Sequence, residues 1–536
     1  MTVKLDYFDY DLVENYYTRN LNDNDFWMFG SFANETQRPT STNTEKTARD
    51  FLAKTVFGVK LSESDFSFMI RNITWQQGVV YTAYDDQAVM AGTNFYTVIE
   101  PEIETGEYRV FKCISNNAGS PSTVKPVYES SISDGIHAFS DGYIWKYMGH
   151  IAYSDYRKFA ASGYVPITRE PEIEAVATDG IYSILVTNPT LNNGYEKLSG
   201  IVREVVDVSA TEKQIVISNL TLDTGTTNEF TTPDYYKNRS LYVQAGGTGN
   251  TIGSDVFEIV SSNIINNSFI VRVFTPVGGT YTIKTDDIVN ILPTVRIDGD
   301  GTGAVAVAAV SAGKITAVRM LSYGSDYTRA SATVVGALFG FFPNDPESRD
   351  VAASLKVVIS PKGGHGSNIY SELKCRHLGI SATITSIDNE NVPSVGSYAK
   401  VGLVKSPSFT PGFTGTSLDN RVVLTSSDNN NAVTIGSVIT QGNVSGILSE
   451  KRTVVPEVGD PLYKFYITDY QGAYSETFSA EVGNNTITTD AGIFEINTVD
   501  NSPYVDGSGD VLFISDLTPI TRTADRFEQI RIVIDF

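Results

Sequence analysis

The chain has 536 residues and a formal net charge of −22, with 41% hydrophobic and 19% charged residues. Because domains average ~150 residues, this length predicts about three or four units rather than one core. An acidic surface of this size repels phosphates and anionic lipid headgroups, so no nucleic-acid partner and no membrane insertion are expected. The composition is typical of a globular chain rather than a disordered one.

The two cysteines, Cys113 and Cys375, are too few for a disulfide framework. We expect two reduced, buried thiols in a protein made in a cytosol. The first ten residues lack a basic segment followed by an apolar one, so no signal peptide is expected. Runs of ~18 apolar residues, which would predict a transmembrane helix, do not occur in the sequence.

The N-terminal part begins with a short, strongly apolar run, FWMFG at 26–30, which is typical of a buried strand. Thr42 and Glu45 have the spacing of a capping box. They predict one amphipathic helix over 43–57, which Gly58 would end.

From 65 onward, short runs of aromatic and β-branched residues between turn residues predict strands. The first such runs are FSFMI at 66–70, VVYTAY at 79–84, FYTVI at 95–99, YRVFKCI at 108–114 and YIWKYM at 143–148. Similar runs follow between 171 and 455, with spacings near ten residues that suit sandwiches or small barrels: IYSILV at 181–186, QIVIS at 214–218, FIVRVF at 269–274 and YTIK at 281–284. A short helix is predicted at 370–377.

The last segment contains LYKFYI at 462–467, FSAEV at 478–482, GIFEI at 492–496 and a predicted closing hairpin over 509–536 around a turn with Pro519. Between 530 and 536, apolar residues alternate with mixed ones, as in a strand with one buried face. Because a chain end is loose unless a sheet holds it, we expect this strand to be part of a core.

The predicted fold class is therefore mostly β: an antiparallel β-sandwich core with inserted β-domains and few short helices. The predicted segments are 1–170, the N-terminal part of the core; 171–455, the inserted β-rich domains; and 456–536, the strands that return to the core.

Three patterns in the sequence could indicate a chemical site. Asp298–Gly303 resembles the start of a calcium loop, but Ala309 stands where the loop needs its last Glu, so a Gly-rich turn before a strand is favoured. A dinucleotide loop is rejected, because the residues after Gly313 predict a second strand rather than a crossover helix. His365, Cys375 and His377 could ligate a metal, but their spacing fits no common zinc pattern.

No nucleophile motif of the common hydrolases occurs. Asp85 and Glu100 could form a glycosidase pair, although a solvated acidic loop is favoured. Trp75 and the aromatics of 143–147 could stack on sugars, although core positions are favoured. We therefore predict no catalytic, cofactor-binding or metal-binding residues, no cofactor and no enzyme activity.

Several segments, in chain order, resemble the dimeric baseplate wedge protein of contractile-tailed bacteriophages. They are FWMFG at 26–30, IRNITW at 70–75, YRVFKC at 108–113, SDGYIWKY at 140–147, and the terminal segments GDVLFI at 509–514, Thr518–Ile520, Ala524–Asp525 and IRIVIDF at 530–536. The similarity covers roughly 1–170 and 456–536. In the middle, GTGA at 301–304, GKIT at 313–316 and YGSDYT at 323–328 resemble a strand-turn module of virion proteins from large phages. The whole would fit a cyanophage member with an enlarged middle region.

This resemblance implies a structural virion protein of the tail baseplate, assembled in the host cytoplasm, with homodimers that join other wedge proteins around a central hub. A receptor-binding or glycan-binding tail protein is the alternative, since it would share the β-rich, aromatic and acidic composition. A polysaccharide-degrading enzyme is a third and less favoured hypothesis. The resemblance carries over no catalytic residues.

Overall fold

A computed structural model of the chain describes residues 6–17, 25–32, 40–223, 233–245, 255–266, 268–276, 282–336, 351–385, 396–471, 477–522 and 527–536. The fold is mostly β, with 50% of the described residues in strands and 9% in helices. The strands form several antiparallel sheets, and the helices are short. The fold class predicted from the sequence is confirmed at this level.

Five α-helices occur in the described ranges: α1 (Asp6–Asn15), α2 (Glu45–Ala53), α3 (Tyr153–Phe159), α4 (Pro171–Ala175) and α5 (Ile369–Glu372). Two 3-10 turns accompany them, at Glu63–Asp65 and Asn117–Gly119. No helix within these ranges is both long and apolar enough to cross a membrane.

The predicted helix over 43–57 is real but shorter than expected. Thr44, not Thr42, caps α2, because its hydroxyl accepts from the backbone N–H of Thr47 at 3.2 Å. The helix ends before Thr55, and Gly58 lies inside the following strand instead of ending the helix. A side chain at Gly58 would meet the Phe29 ring at 2.4 Å, so the glycine allows close strand packing there.

Contact clustering divides the chain into two compact units, and each unit is discontinuous in sequence. Unit 1 consists of Met1–Arg71, Ser154–Pro166 and Cys375–Phe536, and unit 2 consists of Asn72–Tyr153 and Ile167–Lys374. This division differs from the three predicted segments: most of 72–170 groups with the middle of the chain, and 375–455 groups with the two ends.

Unit 1 contains a five-stranded sheet in the order β23 (Ser417–Asp419), β2 (Thr55–Leu61), β1 (Phe26–Phe32), β22 (Gly396–Lys405) and β31 (Asp510–Arg522). As predicted, 26–30 forms a buried strand. Trp27 and Phe29 of β1 belong to one apolar cluster with Phe51 of α2, Val404 of β22 and Leu418 of β23. The amphipathic α2 and this sheet therefore share a core.

A second sheet of unit 1 has the order β32 (Glu528–Asp535), β21 (His377–Ile384), β3 (Phe66–Arg71) and β8 (Tyr164–Ile167). The prediction that 530–536 forms a strand held in a sheet is confirmed. The predicted hairpin with β31 is wrong, because β31 pairs with β22 in the other sheet. Pro519 lies within β31, an edge strand whose register shifts near that position, and an edge strand tolerates a missing donor.

The third sheet of unit 1 has seven strands, of which β26 and β27 are the longest. Its order is β29 (Gly492–Glu495), β28 (Thr486–Thr489), β25 (Val438–Gln441), β26 (Val444–Val454), β27 (Leu462–Gln471), β24 (Val422–Ser426) and β30 (Thr498–Asp500). Leu424, Leu448 and Phe465 lie in its apolar cluster. The predicted strand at 478–482 is wrong, since the backbone there is irregular.

Unit 2 contains a closed six-stranded barrel: β10 (Leu198–Asp207), β11 (Glu212–Leu222), β14 (Ser268–Phe274), β13 (Val256–Ile265), β12 (Ser240–Ala245) and β15 (Ile288–Leu292). Fully buried residues such as Ile215, Leu241 and Val271 form its core. Beside these strands in sequence, a four-stranded sheet has the order β18 (Lys314–Ser325), β17 (Thr302–Ser311), β16 (Thr294–Gly299) and β19 (Ala330–Val335), and a two-stranded sheet pairs β20 (Leu355–Ile359) with β9 (Ile181–Val186).

The last sheet of unit 2 positions the candidate site. Its order is β4 (Tyr96–Ile99), β5 (Tyr108–Asn116), β7 (Tyr143–Ile151) and β6 (Ile136–Ala138). The predicted strand at 79–84 is wrong: Thr82 and Tyr84 donate to the carbonyls of Asn94 and Cys113, and Tyr81 donates its N–H to the Tyr143 hydroxyl. The segment therefore packs along the sheet without pairing to one strand.

Two further predicted elements differ from the structure. The predicted helix at 370–377 is shorter than expected: α5 ends at Glu372, and β21 begins at His377. Of the predicted strand at 281–284, residue 281 lies outside the described residues, and the backbone of 282–284 is not a strand.

Candidate functional site

The Gly-rich segment at 298–303 is a turn between β16 and β17, as favoured from the sequence. Asp300 accepts from the Thr328 hydroxyl at 2.5 Å and from the backbone N–H groups of Thr328 and Arg329, both at 3.0 Å. These hydrogen bonds hold the pKa of the Asp300 carboxyl well below its usual range. The strand β18 follows Gly313, as expected. The carboxylate therefore fastens a turn.

The three candidate metal ligands are divided between the two units. His365 belongs to unit 2, whereas Cys375 and His377 belong to unit 1. His377 Nε2 lies 3.3 Å from Asp535 Oδ1, and burial lowers its pKa. Within the described ranges, no group of three or more His, Cys, Asp or Glu side chains could hold a metal ion.

The remaining sequence candidates are the aromatic residues, the two carboxylates and the two cysteines. Tyr143 and Trp145 are fully buried and share a core cluster in which Trp75 is partly buried, so the core interpretation of these aromatics is confirmed. Asp85 accepts from Lys356 Nζ at 2.5 Å, and Glu100 is exposed at the end of β4. Cys113 and Cys375 are free and buried, as expected, and burial raises the pKa of both thiols.

The most unusual chemistry in unit 2 is a pair of buried lysines that face each other across two strands. Lys112 on β5 is in register with Lys146 on β7, and their exposed fractions are 0% and 1%. Burial lowers the pKa of both ammonium groups, because a low-dielectric interior disfavours the charged form. Like charges directly opposite each other destabilise a sheet, so this pair needs compensation.

Glu372, at the end of α5, supplies that compensation. Its Oε2 lies 2.6 Å from Lys112 Nζ, and its side chain is only 2% exposed. Its Oε1 accepts the backbone N–H groups of Gly366 at 2.8 Å and Asn368 at 3.2 Å. Lys146 Nζ donates instead to the carbonyl oxygen of Asp134 at 2.6 Å. Both carboxylate oxygens of Glu372 thus accept hydrogen bonds.

The loop before α5 has a backbone that only glycine suits. Gly364 has a φ of +94°, and a Cβ there would lie 2.2 Å from the carbonyl oxygen of Thr178. A Cβ on Gly366, with a φ of +93°, would lie 2.6 Å from Lys146 Cε. Asn368 then caps α5 through the N–H of Ser371 at 3.0 Å. The glycines therefore bring the backbone donors and Glu372 against the lysines.

His365 completes the cluster. Its Nδ1 lies 3.0 Å from Lys112 Nζ and 3.9 Å from Glu372 Oε2. Burial, together with the nearby positive charges of Lys112 and Lys146, lowers the pKa of the imidazole well below its usual value, so the ring is neutral. Tyr84 and Tyr182 meet the ring edge to face, with centroids 4.9 and 4.8 Å away.

An amine, a carboxyl group and a neutral imidazole are thus in mutual contact within a water-shielded aromatic enclosure. From the sequence, His365 is a candidate only as a metal ligand, and Lys112, Lys146 and Glu372 are not candidates for a functional site. The available signal was a lysine in the middle of two runs, RVFKCI and YIWKYM, that are otherwise apolar or aromatic apart from one arginine at the start. Lysine is almost never fully buried without a partner.

Neither a comparison with protein-family models nor one with curated proteins finds a match to this chain.

Proposed function

We propose that this protein is a structural component of the baseplate wedge in a contractile-tailed bacteriophage, where it links neighbouring wedge proteins. The ordered resemblance of the segments at 26–30, 70–75, 108–113, 140–147 and 509–536 is the basis of this proposal. A mechanical component needs a stiff scaffold and surfaces for neighbours. The sheets of units 1 and 2 supply that kind of scaffold.

One structural observation carries the proposal furthest. The first and the last parts of the chain that resemble the wedge family flank one strand: β1 and β31 pair with opposite edges of β22. Residues 26–30 and 509–514 are therefore neighbours of the same strand although hundreds of residues separate them. These two resembling segments thus share one sheet of unit 1, whereas those at 108–113 and 140–147 belong to unit 2.

A second observation agrees with a role in assembly. The strand β31 has 13 residues and lies at the edge of its sheet, with β22 as its only strand neighbour in the described ranges. Leu512 on this strand is 44% exposed. Edge strands offer unpaired backbone groups to another chain, and partner proteins often use such edges.

The proposal is tested by locating the protein in a reconstruction of the intact tail and by weighing the free protein with light scattering. We expect density for both units in the baseplate and a dimer in solution. A trimer in solution that binds defined oligosaccharides on a glycan array would favour the receptor-binding alternative. Absence of the protein from the purified particle would contradict both the wedge role and the receptor-binding role.

A further inference from the structure

We propose that Lys112 and Glu372 join in an intramolecular amide bond, which would make this cluster a self-modification site of unit 2. The proposal does not depend on the proposed function. It rests on the contacts of the reacting groups with each other, with two backbone donors and with one imidazole.

The first requirement is that the amine and the carboxyl group be held in contact. The hydrogen bond of 2.6 Å between Lys112 Nζ and Glu372 Oε2 brings the nitrogen within reach of the carboxyl carbon. Lys112 is on a strand paired on both sides, and Glu372 is fixed by two backbone hydrogen bonds. Holding two reactants in this way replaces a collision with an internal step, which is worth many orders of magnitude in rate.

The second requirement is that both groups react in their uncharged forms. A buried ion pair has lost the hydration that stabilises its charges. Transfer of one proton from Lys112 to Glu372 converts the pair into a neutral amine and a neutral carboxylic acid. These are the forms that condense, and the water-poor surroundings then favour the amide over its hydrolysis.

The chemical step balances without a further reactant. The Nζ lone pair attacks the carboxyl carbon, and the charge that develops on Oε1 is stabilised by the N–H groups of Gly366 and Asn368. His365 Nδ1, 3.0 Å from Nζ, accepts the proton that the nitrogen loses. His365 returns that proton to Oε2, the C–O bond breaks, and Oε2 departs as water. One C–N bond replaces one C–O bond, and nothing is oxidised or reduced.

A second lysine–carboxylate pair in unit 2 serves as a comparison for Lys112 and Glu372. Lys356 Nζ and Asp85 Oδ2 are 2.5 Å apart in the same unit, so their separation matches that of the proposed pair. Their side chains are 27% and 19% exposed, whereas those of Lys112 and Glu372 are 0% and 2% exposed. Proximity alone would link both pairs, whereas the proposed mechanism links only the enclosed one.

The test is the intact mass of the full chain, purified in its folded state and incubated until the mass is constant. We expect a mass lower than that of the sequence by one water. Because an Asp–Gly step such as Asp134–Gly135 can also lose water by cyclising, the site must be mapped. Trypsin should release residues 110–146 joined to residues 363–374, because Lys112 is linked and the bond between Lys125 and Pro126 resists cleavage.

Three variants complete the design. Lys356→Arg should keep the loss of one water and the joined peptides, whereas Lys112→Met should have the mass of its own sequence. His365→Phe should acquire the link at least tenfold more slowly, since the proton carrier is gone. A wild-type protein that keeps its full sequence mass, or that loses water without joining these two peptides, would overturn the proposal whether or not the variants fold.

Discussion

Ile380 on β21 and Ile532 on β32 lie opposite each other across an antiparallel pair, and both side chains are buried. The same sheet continues from β21 to β3 near the N-terminus. Arg531 on β32 donates to the carbonyl oxygens of Arg157 and Ala160, which adds a third stretch of the chain to this region of unit 1. The last strand thus connects parts of unit 1 that are far apart in sequence.

Deletion of residues 530–536 should make the protein insoluble. Ile530 and Ile532 alone contribute about 1.5–3 kcal/mol each by burial, and the deletion also exposes the backbone edge of β21. The measurement is the soluble fraction after expression, followed by thermal unfolding of any soluble protein. Val482→Ser serves as the control, since Val482 is fully exposed and should change neither quantity. A truncated protein as soluble and as heat-stable as the parent would refute this role of β32.

The sequence predicted those strands whose aromatic and β-branched residues end at clear turns, such as β1, β3, β5 and β7. It was less successful where a distant partner decides the outcome. The segment 79–84 has the residues of a strand, yet its N–H groups donate to Asn94, Cys113 and Tyr143 instead of one neighbouring strand. The predicted hairpin over 509–536 is wrong because β31 pairs with β22 and β32 pairs with β21.

Local sequence patterns could not predict the candidate site for the same reason. Lys112 is stabilised by Glu372, 260 positions further on, and by His365, 253 positions further on. A lysine in a strand pattern ordinarily indicates a solvent-facing position. Only the complete fold of unit 2 reveals that this one faces a carboxylate and an aromatic enclosure.

Arg421→Met should destabilise unit 1 by up to about 3–5 kcal/mol, because the buried Glu450 loses one of its two arginine partners and keeps the partly exposed Arg452. Arg421 Nη1 donates to Glu450 at 2.6 Å, and the two side chains are 1% and 0% exposed. The guanidinium also lies 4.1 Å from the centre of the Tyr466 ring. Urea unfolding combined with hydrogen exchange of the peptides covering β24–β27 would measure the loss.

The matched control for that variant is Lys46→Met, which removes an exposed ion pair with Asp50 on α2. Exposed pairs contribute less than about 1 kcal/mol, so this variant should unfold like the parent protein. Equal effects of the two substitutions would show that the Arg421 network adds no more than a surface pair.

Unit 2 should lose stability on acidification partly through His365. Since its pKa in the folded protein lies well below the ordinary value of about 6.5, the unfolded chain binds more protons. The contribution of His365 to the stability of unit 2 is therefore fully present above about pH 6.5. It decreases as the pH falls toward the pKa of His365 in the folded protein. The groups around the ring are Lys112, Lys146, Glu372, Tyr84 and Tyr182.

The measurement for this prediction is urea unfolding of the parent and of His365→Phe at about pH 7 and about pH 5. His137 and His377 also have lowered pKa values, so the parent and the variant will both lose stability. The loss should be larger for the parent, since phenylalanine takes up no proton. Identical losses for the parent and His365→Phe would exclude a contribution from His365.

Gly364→Ala should destabilise the loop that carries His365 and Glu372 more than Gly78→Ala destabilises its own turn. Both glycines belong to unit 2 and have positive φ angles, +94° and +83°, which cost alanine about 1–2 kcal/mol at either position. At Gly364 the new Cβ would also lie 2.2 Å from the Thr178 carbonyl oxygen, whereas nothing lies within 4 Å at Gly78. The clash should add roughly 1–3 kcal/mol and speed hydrogen exchange across 363–374. Because the backbone strain is shared, the difference between the variants isolates the close contact, and equal effects would mean that the loop does not depend on it.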